Sequence, residues 1–154
     1  MVCLRDNFTK SYLILFVGKF FSGGDMAQKG YGEDVFRLAR ENEDFRRVLY
    51  TTERSQLVLM AVQAGDEIGE ETHEGIDQVL AFVDGEGEAV IEGEHRPVRA
   101  GSVVVVPGGT RHNFLANGGS PLKLFTIYTP PEHPDGTIHR TKEEADEYER
   151  THHH

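Results

Sequence analysis

Residues 65–78 read GDEIGEETHEGIDQ, and the fold turns on this stretch and its later counterpart, residues 101–112, GSVVVVPGGTRH. Glu71 and His73 are separated by one residue just past the strand pattern of Gln56 to Ala64 (QLVLMAVQA). Side chains alternate in direction along extended backbone, so Glu71 and His73 point to one face and can share a single ion without distorting the chain. Gln78 follows an irregular stretch, Glu74-Gly75-Ile76-Asp77, where a turn breaks the alternation. Adjacent strand residues oppose each other, so Gln78 facing inward puts Asp77 outside. His112 lies beyond Pro107-Gly108-Gly109-Thr110-Arg111, a tight turn able to return the chain to the same mouth. Taken singly, these residues have plainer readings: Glu-x-His as acidic surface, His112 as a hydrogen-bonded loop histidine, the glycines as turns.

Outward from this stretch the pattern is one of short strands. Val79 to Val83, Glu88 to Glu92, Arg96 to Arg99, Ser102 to Val106, Asn113 to Ala116 and Lys123 to Thr129 are bounded by Asp84-Gly85, Gly93-Glu94 and Pro107-Gly108-Gly109. Many short strands punctuated in this way predict an all-β sandwich or barrel and not a βαβ array. Before them, Val35, Phe36, Leu38, Ala39 and Phe45 recur at helical spacing between Glu33 and Arg46. After Pro130-Pro131 the chain reads as polar and irregular. It then ends in a helix capped by Thr141, with Glu144 placed to complete a capping box.

The joint spacing resembles the two motifs of the cupin family. Gly65, Glu71, His73, Gln78 and Gly85 fall where the first motif has a glycine, two ligands one residue apart, a third ligand and a glycine. Gly101, Pro107, Gly109 and His112 fall on the second motif, while Asn117 lies one residue past the motif's usual asparagine, where Ala116 stands. The resemblance spans Val48 to Tyr128, and the tail from Pro130 resembles that of small cupins described as mannose-6-phosphate-isomerase-like. It implies a double-stranded β-helix, or jelly-roll barrel, with short flanking helices. It also implies one divalent ion held by Glu71, His73, Gln78 and His112. The family's common set is three histidines and a glutamate; here Glu71 stands at the first histidine position and Gln78 at the glutamate position. Two imidazoles, one carboxylate and one amide oxygen suit Mn, Fe, Ni, Co or Zn. Inward aromatics Phe82, Phe114, Phe125 and Tyr128 are expected to wall the pocket, with Glu71, Tyr128 and Arg111 as candidate catalytic or substrate-contacting groups. His95, His133 and His139 are expected at the surface.

Composition narrows the function classes. With 26 acidic against 16 basic residues and a net charge of -10, the surface opposes phosphate backbones and anionic lipid, so neither nucleic acid nor membrane is an expected partner. The only cysteine, Cys3, rules out an intrachain disulfide and a thiolate cluster, and fits a cytoplasmic setting. The apolar run Tyr12 to Phe21 is shorter than a membrane span. With Met26 just after it, residues 1–25 read as an upstream extension, 26–150 as one cupin domain, and 151–154 as the remnant of a purification tag. Two functions are expected to compete. One is a metal-dependent isomerase or dioxygenase acting on a small oxygenated molecule such as a sugar or sugar acid. The other is a non-catalytic small-molecule binder with a structural metal or none. Uncovered edge strands predict a homodimer.

Overall fold

A computed structural model describes residues 30–152. The apolar run Tyr12 to Phe21, Cys3, Met26, His153 and His154 lie outside the described residues. Helix α1 (Val35–Glu41) leads into nine strands: β1 (Arg46–Thr51), β2 (Gln56–Val62), β3 (Asp77–Asp84), β4 (Glu86–Ile91), β5 (Glu94–Arg99), β6 (Val103–Val106), β7 (His112–Leu115), β8 (Leu122–Thr129) and β9 (Ile138–His139). Helix α2 (Lys142–His152) follows. None of the described helices is long and apolar enough to cross a membrane.

The strands form two antiparallel sheets, a six-stranded one ordered β6-β3-β8-β2-β1-β9 and a three-stranded one ordered β5-β4-β7. Val58, Met60, Leu80, Phe82, Leu122 and Leu124 of the large sheet pack against Ala89, Val98 and Phe114 of the small one. The all-β expectation holds, but the sheets do not close into a barrel. β6 and β5 end their sheets without hydrogen bonding to each other, and the two sheets meet face to face through side chains such as Phe82 of β3 and Phe114 of β7, with ring centroids 5.7 Å apart. β6 also turns Val103 and Val105 outward, 62% and 64% exposed.

Burial along β2 shows how the large sheet is covered on both faces. Val58, Met60 and Val62 face the inter-sheet core, while Leu59 faces the other way and packs beneath α1 with Ala39 and Val83. That two-sided cover is why QLVLMAV reads as a continuous apolar run and not as an alternation. Phe125 lies on this outer face, its ring 5.3 Å from Phe36 of α1, so it is not the pocket wall expected of it. Phe82 and Phe114 do face inward, but as members of the core and not as pocket walls.

Helix α1 is shorter than its apolar spacing predicts. Asp34 caps it by accepting from the Arg37 amide at 3.0 Å, the helix stops at Glu41, and the Asn42 side chain bonds the backbone of Asp44 on both its edges. Phe45 then enters the main core from non-helical backbone. The tail expected to be irregular contributes β9, which adds to the edge of β1 by pairing Ile138 and His139 with Arg47 and Arg46. At α2, Thr141 Oγ1 accepts from the Glu144 amide, whereas the Glu144 carboxylate returns to the Arg140 amide, one residue before the cap.

One glycine marks where the small sheet tolerates no side chain. A methyl group on Gly87 of β4 would run into the carbonyl of Leu115 on β7, whereas one on Gly93, at φ +80°, would meet open space. Gly87→Ala is therefore expected to cost ~3 kcal/mol. Gly93→Ala should cost only the left-handed backbone strain of about 1 kcal/mol. Urea midpoints of the two variants compare the costs directly.

Candidate metal centre

Two loops converge at one end of the sandwich. Past Gly65 the chain runs antiparallel to β7: Ile68 N donates to Phe114 O, and Glu71 and His112 exchange both backbone hydrogen bonds at 2.9 and 3.0 Å. This pairing sets Glu71 opposite His112. The turn at Gly108-Gly109 then packs on the other side of His73, with Gly109 N donating to His73 O at 2.9 Å and Gly108 N to the Asp77 carboxylate at 2.8 Å. Asp77 is thus an exposed structural acceptor, as its parity predicts.

The side chains of Glu71, His73 and His112 meet there. One donor atom from each lies within 4.8 Å of the others, a grouping that could hold a metal ion. Glu71 Oε2 is 3.1 Å from His73 Nε2 and 4.0 Å from His112 Nε2. Each imidazole has its other nitrogen engaged: His73 Nδ1 lies 3.5 Å from Glu132 Oε1, and His112 Nδ1 sits 2.8 Å from the Thr110 carbonyl. Since a carbonyl can only accept, His112 carries its proton on Nδ1 in the neutral form and presents a bare Nε2 to Glu71. That Nε2 is buried and has no hydrogen-bond partner.

Gln78 is 2% exposed on the inward face of β3, directly across from Tyr128 of β8. Its amide nitrogen donates to Thr126 Oγ1 at 3.1 Å, and its Oε1 is a second buried atom without a partner. Tyr128 is 1% exposed, with its ring edge-on to His73 at 5.8 Å. Burial, reinforced by the Glu71 charge, pushes its phenol well above its ordinary value, so it stays protonated. Arg111 is exposed, at the opposite parity to buried His112, and is not among the residues lining the site.

Arg46, Glu132 and Glu149, which the sequence reading did not single out, complete the surroundings together with His133. Arg46, 2% exposed, reaches Glu71 Oε1 at 3.9 Å and Glu149 Oε1 at 3.2 Å. Glu132 backs His73, and His133 lies beside Tyr128 with ring centroids 5.2 Å apart. The placements expected for the other histidines are corrected in part. His139 is buried against Arg46, with its Nδ1 3.3 Å from the guanidinium, because β9 docks where loop was expected. His133 is largely covered, with a buried Nε2 that lacks a partner. His95 is exposed as expected, though it sits in β5 and not in the turn. Arg46 had one legible signal: it precedes Val48 by two residues in a strand, the inward parity. Glu132 and His133 follow Pro130-Pro131, where no periodicity exists to place them.

Electrostatics couple these groups. Burial acts to raise the Glu71 carboxyl, but the hydrogen bond and charge of His73, with the Arg46 guanidinium behind, hold it below the usual carboxylate range. Burial acts to lower His73, and its contacts with Glu132 and Glu71 outweigh that and lift it to about 9. A depression of about 440 Å³ opens over the cluster, lined by Glu71, His73, Glu74, Glu132, His133 and Glu149 among others. A larger hollow of about 670 Å³ beside β4 and β5, lined by Glu86, Glu88, Arg99 and Asn117, holds no histidine and none of the buried unpartnered atoms.

Comparison with known proteins agrees with this geometry. Residues 58–128 match the cupin domain model. The uncharacterized protein YrkC of Bacillus subtilis is 39% identical over 127 residues, spanning 79% of this chain and 68% of YrkC. The crystal structure of BH2720 from Bacillus halodurans superposes with a TM-score of 0.77 at 34% identity, covering 80% of this chain and 98% of that one. KdgF from a Halomonas species superposes with a TM-score of 0.53 at 26% identity, over 56% of this chain and 80% of its own. The two-sheet architecture is thus that of the double-stranded β-helix.

The His73 pairing makes stability depend on pH in a definite direction. A histidine raised from 6.5 to about 9 in the folded state stabilises the fold fully below pH 6.5 and loses that contribution as pH rises through 9. Chelator-treated protein should therefore show a Tm that falls by a few degrees across this window. His73→Asn should flatten that slope; an unchanged slope would mean that the pairing contributes nothing to folding.

Proposed function

The chain belongs to the cupin family, and from that premise we propose that it is a metal-dependent enzyme acting on a small oxygenated molecule, with Glu71, His73 and His112 as ligands of one divalent ion. The observation that carries this reading is the aim of the two imidazoles. Both have Nδ1 engaged by oxygen on the side away from the cluster and both turn Nε2 toward one carboxylate, the arrangement that prepares histidines to ligate. Leaving His112 Nε2 and Gln78 Oε1 buried without partners costs about 1–3 kcal/mol each, and an ion beside them would recover that.

The donor set fits Mn, Fe, Co, Ni or Zn and fits soft Cu(I) poorly. When bound, such an ion supplies Lewis acidity for an isomerisation or, if redox-active, a couple for oxidation with dioxygen. The protein's own groups have separable tasks. Glu132 sets the orientation of His73. Arg46 keeps Glu71 ionised and in place. Tyr128 offers a ring wall and a hydroxyl that retains its proton. With Glu71 engaged as a ligand, Glu132, 3.5 Å from His73, is a carboxylate able to move a proton at the edge of the site.

A second reading has one observation in its favour. If Gln78 Oε1 also ligates, Glu71, His73, Gln78 and His112 form a closed four-donor site, which suits a structural ion in a non-catalytic binding protein.

Element analysis of protein purified without a histidine tag tests the site. One equivalent of a first-row divalent ion is expected in the wild type. His73→Ala and His112→Ala should each retain less than about a tenth of it. Undiminished metal in both variants would sink the assignment. Gln78→Leu separates the readings: near-full occupancy with a solvent-exchangeable position favours the enzyme, and loss of the ion favours the closed site.

A further inference from the structure

Resting on the metal-centre reading, we propose that the depression over the cluster binds a neutral polyhydroxylated molecule, that His133 is a direct contact for one of its hydroxyls, and that Gln56 positions His133. His133 belongs to the loop after β8, yet its backbone is gripped at two points. The Gln56 amide nitrogen donates to His133 O at 2.7 Å, and Gln56 Oε1 accepts from His133 N at 3.0 Å. Gln56 is itself 1% exposed, further tied to Thr51 Oγ1 at 3.0 Å, and lies in register with Tyr128, whose ring meets the His133 ring edge-on. A loop side chain held this firmly at backbone and ring is preorganised for contact, because little entropy is left to lose on binding.

What is held so firmly is a polar atom without a partner. His133 Nε2 is buried and unbonded in a residue that lines the depression. Burial, together with the charges of Arg46, His73 and His139, lowers this histidine to about 2 and keeps it neutral. A neutral imidazole offers one donor and one acceptor, which is the complement of a hydroxyl and a poor match for an anion. Glu71 and His73 of the cluster line the same opening, and His112, 3% exposed beneath them, turns its unpartnered Nε2 to Glu71.

Charge narrows the ligand class. Glu71, Glu74, Glu132 and Glu149 line the depression, and Arg46, the guanidinium reaching Glu71 and Glu149, is already engaged by both. Set against Arg46 and the dication read into the floor, the four carboxylates still leave a slight negative excess, which opposes an incoming carboxylate or phosphate at the rim, while hydroxyl groups find acceptors in it. A cationic ligand would oppose the dication that the floor cluster is read to hold. A neutral sugar or polyol satisfies all three conditions, so the sugar-acid alternative for this site is disfavoured.

Calorimetric titration of cobalt-loaded protein tests this, with D-glucose and D-fructose as neutral probes and D-gluconate and glucose 6-phosphate as anionic ones. A neutral probe should bind, and the anionic probes should bind at least ~10-fold more weakly. His133→Phe keeps the ring and should take up cobalt as the wild type does, yet lose ~10-fold or more in sugar affinity. His133→Gln should do the same and serves if the phenylalanine variant fails to fold. Gln56→Met should weaken sugar binding and shift the His133 imidazole resonances in NMR spectra, a readout that a merely structural role would not move. Anionic probes binding as tightly, no neutral probe binding, or unchanged sugar affinity in the His133 variants would overturn the proposal. A wild type that takes up no cobalt fails the metal-centre reading instead, and the sugar titration of the metal-free protein is scored separately.

Discussion

The reciprocal backbone pair between Glu71 and His112 is the constraint on which the site depends. Two motifs about forty positions apart in the chain are brought into register there by main-chain hydrogen bonds. The side chains of the pair inherit their proximity from that register and need no attraction of their own. This matters because a carboxylate and two imidazoles in a largely buried setting are costly to assemble by side-chain contact alone. The backbone meets the positional requirement, and the segment from Gly65 becomes in effect a further irregular strand beside β7.

Around that pair the polar groups form a connected set. Glu71 is flanked by His73 and Arg46, His73 by Glu132, and Arg46 by Glu149 and His139. The charges in this chain alternate in sign, which is how a side chain such as Arg46 can be 2% exposed without a prohibitive desolvation cost. The set also links distant parts of the fold. Arg46 comes from the first strand, Glu132 from the loop after β8, and Glu149 from the last helix. The N-terminal and C-terminal ends of the described chain therefore meet behind the candidate ligands, where β9 pairs with β1.

Unpartnered atoms are the other organising feature. Among the described residues, the buried side-chain atoms without partners are Arg46 Nε, Gln78 Oε1, His112 Nε2 and His133 Nε2, and all four residues belong to the site or its wall. Elsewhere buried polar side chains are satisfied, as with Gln56 and Thr126. A protein that satisfies its polar groups throughout the core and leaves them open in one corner has that corner available for a ligand.

Much of this was legible in the sequence, and the boundary has a physical cause. Strand positions followed from apolar runs and Gly or Pro-Gly punctuation, because period and turn chemistry are local properties. The meeting of Glu71, His73 and His112 was anticipated from the resemblance of their spacing to the cupin motifs, because such spacing encodes which residues a given turn returns to one place. Tertiary structure alone decided the rest. Phe125 went to the outer face because α1 covers it, and the edge strands β5 and β6 were left unpaired by how the two sheets pack. His139 was buried because a two-residue strand docks on β1, and Arg46, Glu132 and Glu149 became the electrostatic frame because a strand, a loop without periodicity and the last helix meet behind the candidate ligands. Local pattern determines which way a side chain points on its own strand. Only packing between elements determines what it will meet there.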